Sequence, residues 1–354
     1  MLIDATGRSY GFGKAHPDFP QVTMRFADGR VARDIIRNPR LGFGEAWLDG
    51  RLLFEEGDIT AFLTLFRKNA SWEKGGEGLT PKGLLRSAGS EALARLDRFN
   101  WERKSRRNVA HHYDLEGRLF DLFLDADRQY SCAYFTDPAN SLDQAQADKK
   151  AHIAAKLALA PGQRVLDIGC GWGGMALYLN RLANVDVLGI TLSEEQLKVA
   201  RARAAAAGVA DRVRFELLDY RAVTGSFDRI VSVGMFEHVG PRHFRSFFAK
   251  AKSLLSEDGV MLLHTIGRMG KPSTTDPFTA KYLFPGGYNP SLSEVVAASE
   301  KTRLILTDVE VLRLHYAQTL DIWLERTHAA RDDIIRLYDE RFFRLWEFYL
   351  AGAS

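Results

Sequence analysis

The chain has 354 residues, 46% of them hydrophobic and 26% charged, with a net charge of +3. That length allows two domains, or one large domain with an accessory part, and the composition is that of an ordinary folded protein. No window approaches the roughly 18 consecutive apolar residues of a membrane-crossing helix, the charge is too small to argue for nucleic acid, and Cys132 and Cys170 form neither a metal-ligand spacing nor a disulfide framework.

The N-terminus, MLIDATGRSYGFGK, lacks the apolar core of a signal peptide, which predicts a cytoplasmic protein. Residues 1 to about 70 contain alternating segments, QVTMRFADG and LGFGEAWLDGRLLFEEG, whose Asp-Gly turns predict hairpins. A helix follows in DITAFLTLFRKN, with Asp58 as its cap. The next stretch, ASWEKGGEGLTPKGLL, is rich in Gly, Lys and Glu and reads as a mobile linker. In RFNWERKSRRN (98–108) basic residues crowd around two aromatics against a single acid. Such a run is either a solvated helix face or a patch for anionic lipid headgroups, where each basic side chain adds roughly 1 kcal/mol. From about 100 to 160 the pattern is helical, interrupted at QYSCAYFTDP.

Strands and helices then alternate. RVLDIGCG, VDVLGITLS, VRFELLD, FDRIVSVG and GVMLLHTIG read as strands, and GMALYLNRL and EEQLKVARARAAAAG as helices, the second capped by Ser193 and closed by Gly208. Apolar strands between amphipathic helices predict an α/β fold with a parallel sheet covered on both faces. Ligands of such sheets bind at the carboxyl ends of the strands, which is where Glu237 and His264 fall. Gly169, Gly171 and Gly173 directly follow the first of these strands and let the backbone approach a ligand closely. A glycine-rich turn alone is weak evidence. Asp167, just before the glycines, suits a cationic or amine-bearing ligand better than a pyrophosphate. The second strand ends in Thr191-Leu-Ser193, with no aspartate there to hold a ribose. Asp219, ending the third, is free to accept from an adenine amino group.

The segments VLDIGCGWGG, GITLSEEQ, LDYR, VSVGMFEHVG, LLHTIG, FPGG and LHYAQTLDIW occur in this order from about residue 100 to the C-terminus. As a set they resemble the cyclopropane-fatty-acyl-phospholipid synthases and mycolic acid cyclopropane synthases, and GFGEAWLDGRL resembles the N-terminal part of the phospholipid enzymes. The resemblance implies a Rossmann-like class I methyltransferase sheet over residues 96–354. It also implies a smaller N-terminal α+β lipid-binding domain over 1–95, with the linker at about 70–95. The implied cofactor is S-adenosylmethionine, surrounded by Tyr130, Ser131, Gly169, Cys170, Gly171, Thr191, Gln196, Asp219, Tyr220 and Arg221. The implied reaction adds a methylene group to a cis alkene of an unsaturated phospholipid. It requires an apolar site, aromatic faces for a carbocation (Tyr134, Phe135, Phe236 and Tyr316 are candidates) and one base. In the family that base is a bicarbonate ion, and the matching positions are Cys132, Glu237, His264, Ile266 and Tyr316. Here His264 and Tyr316 can donate to the anion, Glu237 can accept its hydroxyl proton, and Ile266 offers only backbone. His238 is read as support for the turn, and His111 and His112 as packing residues.

No metal is implied. The implied partners are membrane phospholipids, met by transient peripheral docking at the inner face of the cell membrane, and a homodimer stays open. Docking falls either on the basic run around Arg103–Arg107 or on a lid formed by residues 267–290. The family continues beyond the position of Ser354 with a final strand, so a sheet edge is expected to lack a partner. Some of its members also place a cysteine where Ala353 stands. The alternatives are a C-methyltransferase leaving a branched methyl, an amine N-methyltransferase of similar fold, and a non-catalytic lipid-binding homologue.

Overall fold

The structure, a computed structural model, describes residues 1–69 and 117–354. The linker, the basic run with Lys104, Arg106 and Arg107, and His111 and His112 lie outside the described residues. In chain order the elements are β1 (Leu2–Ile3), β2 (Ser9–Tyr10), β3 (Thr23–Phe26), α1 (Arg30–Arg37), α2 (Pro39–Leu48), β4 (Leu52–Glu56) and α3 (Ile59–Asn69). Then come α4 (Gly117–Phe123), α5 (Leu142–Leu157), β5 (Arg164–Ile168), α6 (Gly174–Ala183), β6 (Asp186–Thr191), α7 (Glu194–Ala206), β7 (Val213–Leu217) and β8 (Phe227–Val233). The chain continues through α8 (Phe244–Leu254), β9 (Leu255–His264), α9 (Pro277–Tyr282), α10 (Leu292–Glu300), α11 (Arg313–Ala329), α12 (Arg331–Leu337) and α13 (Glu340–Ala353).

The described residues cluster into two compact units. One holds 117–275 and 282–316, the other 1–69, 276–281 and 317–354. In the first, a five-stranded parallel sheet runs in the order β7-β6-β5-β8-β9. Successive strand residues point to opposite faces, and each face is covered. Val165, Val187, Val213 and Val231 pack with the residues of α5, α6 and α7. Leu166, Ile168, Ile190 and Ile230 pack with Phe244, Phe247, Phe248 and Ala298 on the other side. This is the α/β sheet the alternating pattern predicts. The chain order reverses at β5, so the crevice for a ligand opens at the carboxyl end of that strand. Among the described strands β9 pairs only with β8 and stays an edge.

In the second unit a four-stranded sheet, order β2-β1-β3-β4, packs around Val31, Ala46 and Leu52. The sequence pattern makes 41–48 a strand, whereas the structure makes it helix α2. Its large and small residues alternate as in a strand, and Gly42, Gly44, Ala46 and Leu48 are the buried set. Asn38 accepts from the Leu41 amide and Pro39 takes the first helical position, which starts a helix. The small residues then allow close approach: a Cβ at Gly42 would lie 2.4 Å from the Asp34 carbonyl oxygen. Residues 317–354, expected in the same domain as the parallel sheet, cluster in this unit instead. There the Trp47 indole donates to the Arg344 carbonyl at 3.1 Å, and Phe278 meets Phe348 edge-on at 4.8 Å.

Candidate active site

At the carboxyl ends of β5, β6, β7 and β8 the structure forms one cavity. Every residue named for the cofactor lines it: Tyr130, Ser131, Gly169, Cys170, Gly171, Thr191, Gln196, Asp219, Tyr220 and Arg221. Two glycines make the loop after β5 work. Gly169 has φ +86°, and a Cβ there would strike the Met235 side chain at 2.7 Å. Gly171 has φ +54°, and its missing side chain faces open space. The first glycine is needed for packing against the protein, while the second leaves room for a ligand.

The polar groups around the cavity are mostly held by one another. Thr191 Oγ1 donates to Gln196 Oε1 at 2.9 Å, and the Gln196 amide is capped by Ser193 Oγ at 3.2 Å. Asp219 is less free than the sequence reading supposes. Its Oδ1 accepts from the Arg221 amide and Nε at 2.9 and 2.8 Å, and its Oδ2 from Arg221 Nη2 at 2.6 Å. Asp167 is different. It is buried, its Oδ2 is sealed with no hydrogen-bond partner, and burial pushes its carboxyl up to about 7. A cationic group entering the cavity would meet the only kind of charge this position can offer. Burial also raises the Tyr220 phenol to about 12.

The residues proposed for the base do not line this cavity, though Glu237 and His264 end up beside one another in the chain's hydrogen bonding. Glu237 sits in the one-turn helix Phe236–His238 beyond β8. Its Oε1 accepts from the Ile266 amide at 2.6 Å, so Ile266 contributes backbone, as its side chain requires. Its Oε2 is sealed and unpartnered, and burial raises its pKa. His264 ends β9. Its carbonyl accepts from the Gly234 amide at 2.9 Å, its Nδ1 is sealed and unpartnered, and burial, then Lys149, lowers it to about 4. A neutral imidazole and an unpaired carboxyl oxygen therefore stand at the exits of adjacent strands. Cys132 is buried, with Sγ against the Ala133 carbonyl at 3.2 Å. Tyr316 lies half-buried in the first turn of α11. Its neighbour His315 accepts from the Phe135 amide at 3.0 Å and stacks on Tyr134 at 4.9 Å, tying α11 to the segment that carries Cys132. Phe236 is a core residue stacked on Phe244 at 4.3 Å.

Sequence reasoning missed several residues. His238, read as turn support, lines the cavity, and burial holds it at about 4. Trp172, Met235 and His243 line it too. Behind the wall lie Gln146 and Lys149 of α5, both buried. Their signal was in the sequence: they occupy the apolar stripe that also carries Leu142, Ala145, Ile153 and Leu157. Among the described residues no group of His, Cys, Asp and Glu is arranged to hold a metal ion, and no helix is long and apolar enough to cross a membrane.

Comparison with known proteins places these residues in a family. The family model described as mycolic acid cyclopropane synthetase matches residues 101–354. The cyclopropane-fatty-acyl-phospholipid synthase of Escherichia coli strain K12 is 41% identical over 325 residues, 90% of this chain and 80% of that protein. A probable fatty acid methyltransferase of Pseudomonas putida is 36% identical over 342 residues, 95% of this chain and 83% of that protein. Among solved structures, mycolic acid cyclopropane synthase CmaA1 complexed with SAH and CTAB superimposes with a TM-score of 0.66 at 36% identity, covering 70% of this chain and 91% of that one. The chain belongs to the mycolic acid cyclopropane synthetase family of S-adenosylmethionine-dependent methyltransferases.

Proposed function

We propose that this methyltransferase adds a methylene group from S-adenosylmethionine to the cis double bond of an unsaturated phospholipid acyl chain. The observation that carries the reading is that two atoms at the exits of adjacent strands, Glu237 Oε2 and His264 Nδ1, are each buried without a hydrogen-bond partner. Buried polar atoms are nearly always hydrogen-bonded, so each of these two invites a polar partner when the site is filled. The bound cofactor supplies an electrophilic methyl carbon on a sulfonium, and its ammonium suits Asp167. When the alkene electrons bond to that carbon the C–S electrons leave with sulfur, and the chain becomes a cation. Ring closure then needs one proton removed from the transferred carbon, whose C–H electrons form the last ring bond. Methylation of a nitrogen already carries its own lone pair and asks for no such base.

The residue types suit a bicarbonate in that role. Glu237 Oε2 can accept its hydroxyl proton, and the neutral His264 can donate through Nδ1 in the tautomer that carries the proton there. The buried setting excludes water that would otherwise capture a cation as an alcohol. Docking to the membrane surface and the N-terminal unit as the lipid-facing part belong to the same reading. A second reading is supported by the similarity to a probable fatty acid methyltransferase over 95% of this chain: addition of one carbon with a branched methyl as product. Mass spectrometry of lipids from a host expressing the chain tests both. The first predicts acyl chains that gain one CH2 and resist ozonolysis at the former double bond. Chains that gain the carbon and stay cleavable, or that gain two further hydrogens, select the branched product. Unmodified lipids reject both.

A further inference from the structure

Helix α5 turns two polar side chains inward less than one turn apart. Gln146 is 0% exposed and Lys149 is 2% exposed. A leucine at 149 would pack the helix without the cost of burying an ammonium, several kcal/mol unless partners offset it. Both residues grip one wall of the cavity. Gln146 Nε2 donates to the carbonyls of Gln129 and Ser131 at 3.2 and 3.0 Å. Lys149 Nζ donates to Gln129 Oε1 at 2.7 Å and to Ser131 Oγ at 2.8 Å. Burial pushes the Lys149 amine down to about 7, against which Asp125 is the leading counter-charge while Lys150 opposes the ammonium. Asp125 in turn accepts the amides of Asp127 and Gln129, at 3.1 and 2.7 Å, and so shapes the same segment.

The direction of the bond to Ser131 decides what the serine can do. In its charged form Lys149 only donates, so the hydroxyl then receives it on a lone pair and sends its own proton elsewhere, and an anionic group in the cavity favours that charged form. Among the described residues Ser131 Oγ donates to no acceptor, and Ser131 lines the cavity. A free O–H donor backed by a buried cation suits a carboxylate. We propose that Lys149 is a positioning residue that holds the Ser131 hydroxyl as a donor toward the amino-acid carboxylate of the ligand in this cavity. The proposal rests on the reading of that ligand as S-adenosylmethionine, and it pairs Ser131 with the carboxylate while Asp167 suits the ammonium of the same end.

Two probes separate this role from plain support of the fold: S-adenosylhomocysteine, and 5′-methylthioadenosine, which keeps the adenosyl thioether but lacks the amino-acid end. Calorimetric titration of the wild type should show a preference for the first. Lys149→Met and Ser131→Ala should each weaken S-adenosylhomocysteine by about 10- to 100-fold, the usual size for a charge-assisted hydrogen bond, and leave 5′-methylthioadenosine unchanged. The double variant should be no worse than the weaker single one. Lys149→Gln keeps an N–H donor without the charge and should fall between; it carries the comparison should Lys149→Met not fold. Equal losses for both probes would reduce Lys149 to a packing role and overturn the proposal, as would unchanged S-adenosylhomocysteine affinity. Wild type that binds both probes equally removes this proposal alone. Wild type that binds neither removes the cofactor reading, and the proposal with it.

Discussion

Glu237 keeps one oxygen on the Ile266 amide and leaves the other sealed and unpartnered, so the two oxygens can be tested apart. Glu237→Gln retains a carbonyl for the amide but cannot take a proton in the same way. Stability should change by less than about 1 kcal/mol and S-adenosylhomocysteine affinity should hold. Turnover should fall by about 10²–10⁴-fold, the size of a general-base contribution. Steady-state assays with and without bicarbonate check it, and near-normal turnover in the variant would remove Glu237 from the chemistry. Asp167 gives a second test through pH. Burial raises its folded pKa to about 7, well above the usual carboxylate value of about 4. The fold therefore favours its neutral form, and the cost to stability is absent at low pH, grows as pH rises from about 4, and levels off above about 7. Ligand-free Asp167→Asn should match the wild type in melting temperature near pH 4 and exceed it at pH 8. The same variant should bind S-adenosylhomocysteine more weakly, with the deficit growing as pH rises through 7, because only ionised Asp167 attracts the ligand's ammonium. A variant less stable than wild type at pH 8 would contradict the unpaired state of Asp167.

At the scale of elements, the loop between β5 and α6 was legible because its constraints are local. A strand, a run of glycines and an amphipathic helix follow one another directly, and each glycine's φ is a property of its own position. Gly171→Val would put a β-branched side chain at φ +54° into open space bordering the cavity. Left-handed backbone costs such a residue about 1–2 kcal/mol, and the side chain would occupy the ligand's approach. We expect a folded protein, seen by circular dichroism, whose S-adenosylhomocysteine affinity falls more than about 10-fold; unchanged affinity would move the ligand off this loop. Helix α2 was misread for the opposite reason. Its alternation of small and large residues is a strand pattern, and what makes it helical is the Asn38 cap together with contacts far along the chain, such as the Phe278 ring, which would lie 2.4 Å from a Cβ at Gly44. The stripe on α5 was readable by period but not by purpose. Only the position of residues 129–131 against it explains a buried lysine.

The molecule as a whole is built from two units, and the second is assembled from both ends of the chain. Trp47 shows the consequence. Its indole donates to the Arg344 carbonyl, lies 5.5 Å from the Arg344 guanidinium carbon and packs on Phe54 at 5.5 Å. Trp47→Ala should lower stability by about 3 kcal/mol, the low end for losing a large aromatic that is only half-buried. The cavity residues all belong to the other unit, so S-adenosylhomocysteine affinity measured below the melting transition should stay within about twofold, well under the 1.4 kcal/mol of a tenfold change. Thermal melts and titrations on one preparation check both, and a large loss of affinity would mean the pocket depends on the second unit.

The order of strands and helices from residue 164 to 264 followed from the sequence, because hydrophobic period and glycine placement are written into neighbouring residues. The residues that gather around the cavity came from the family resemblance, and Gly169, Gly171, Thr191 and Asp219 among them also stand at or just past the ends of strands whose direction the parallel sheet dictates. Pairing, burial and charge state were decided only by tertiary structure. Asp219 is tied up by Arg221, His238 turns into the cavity, and Lys149 loses its solvent to hold Ser131. The residues at 317–354 join the N-terminal strands instead of the parallel sheet. Each of these depends on which distant surface a side chain meets, and the free energy of that meeting is not a property of any segment alone.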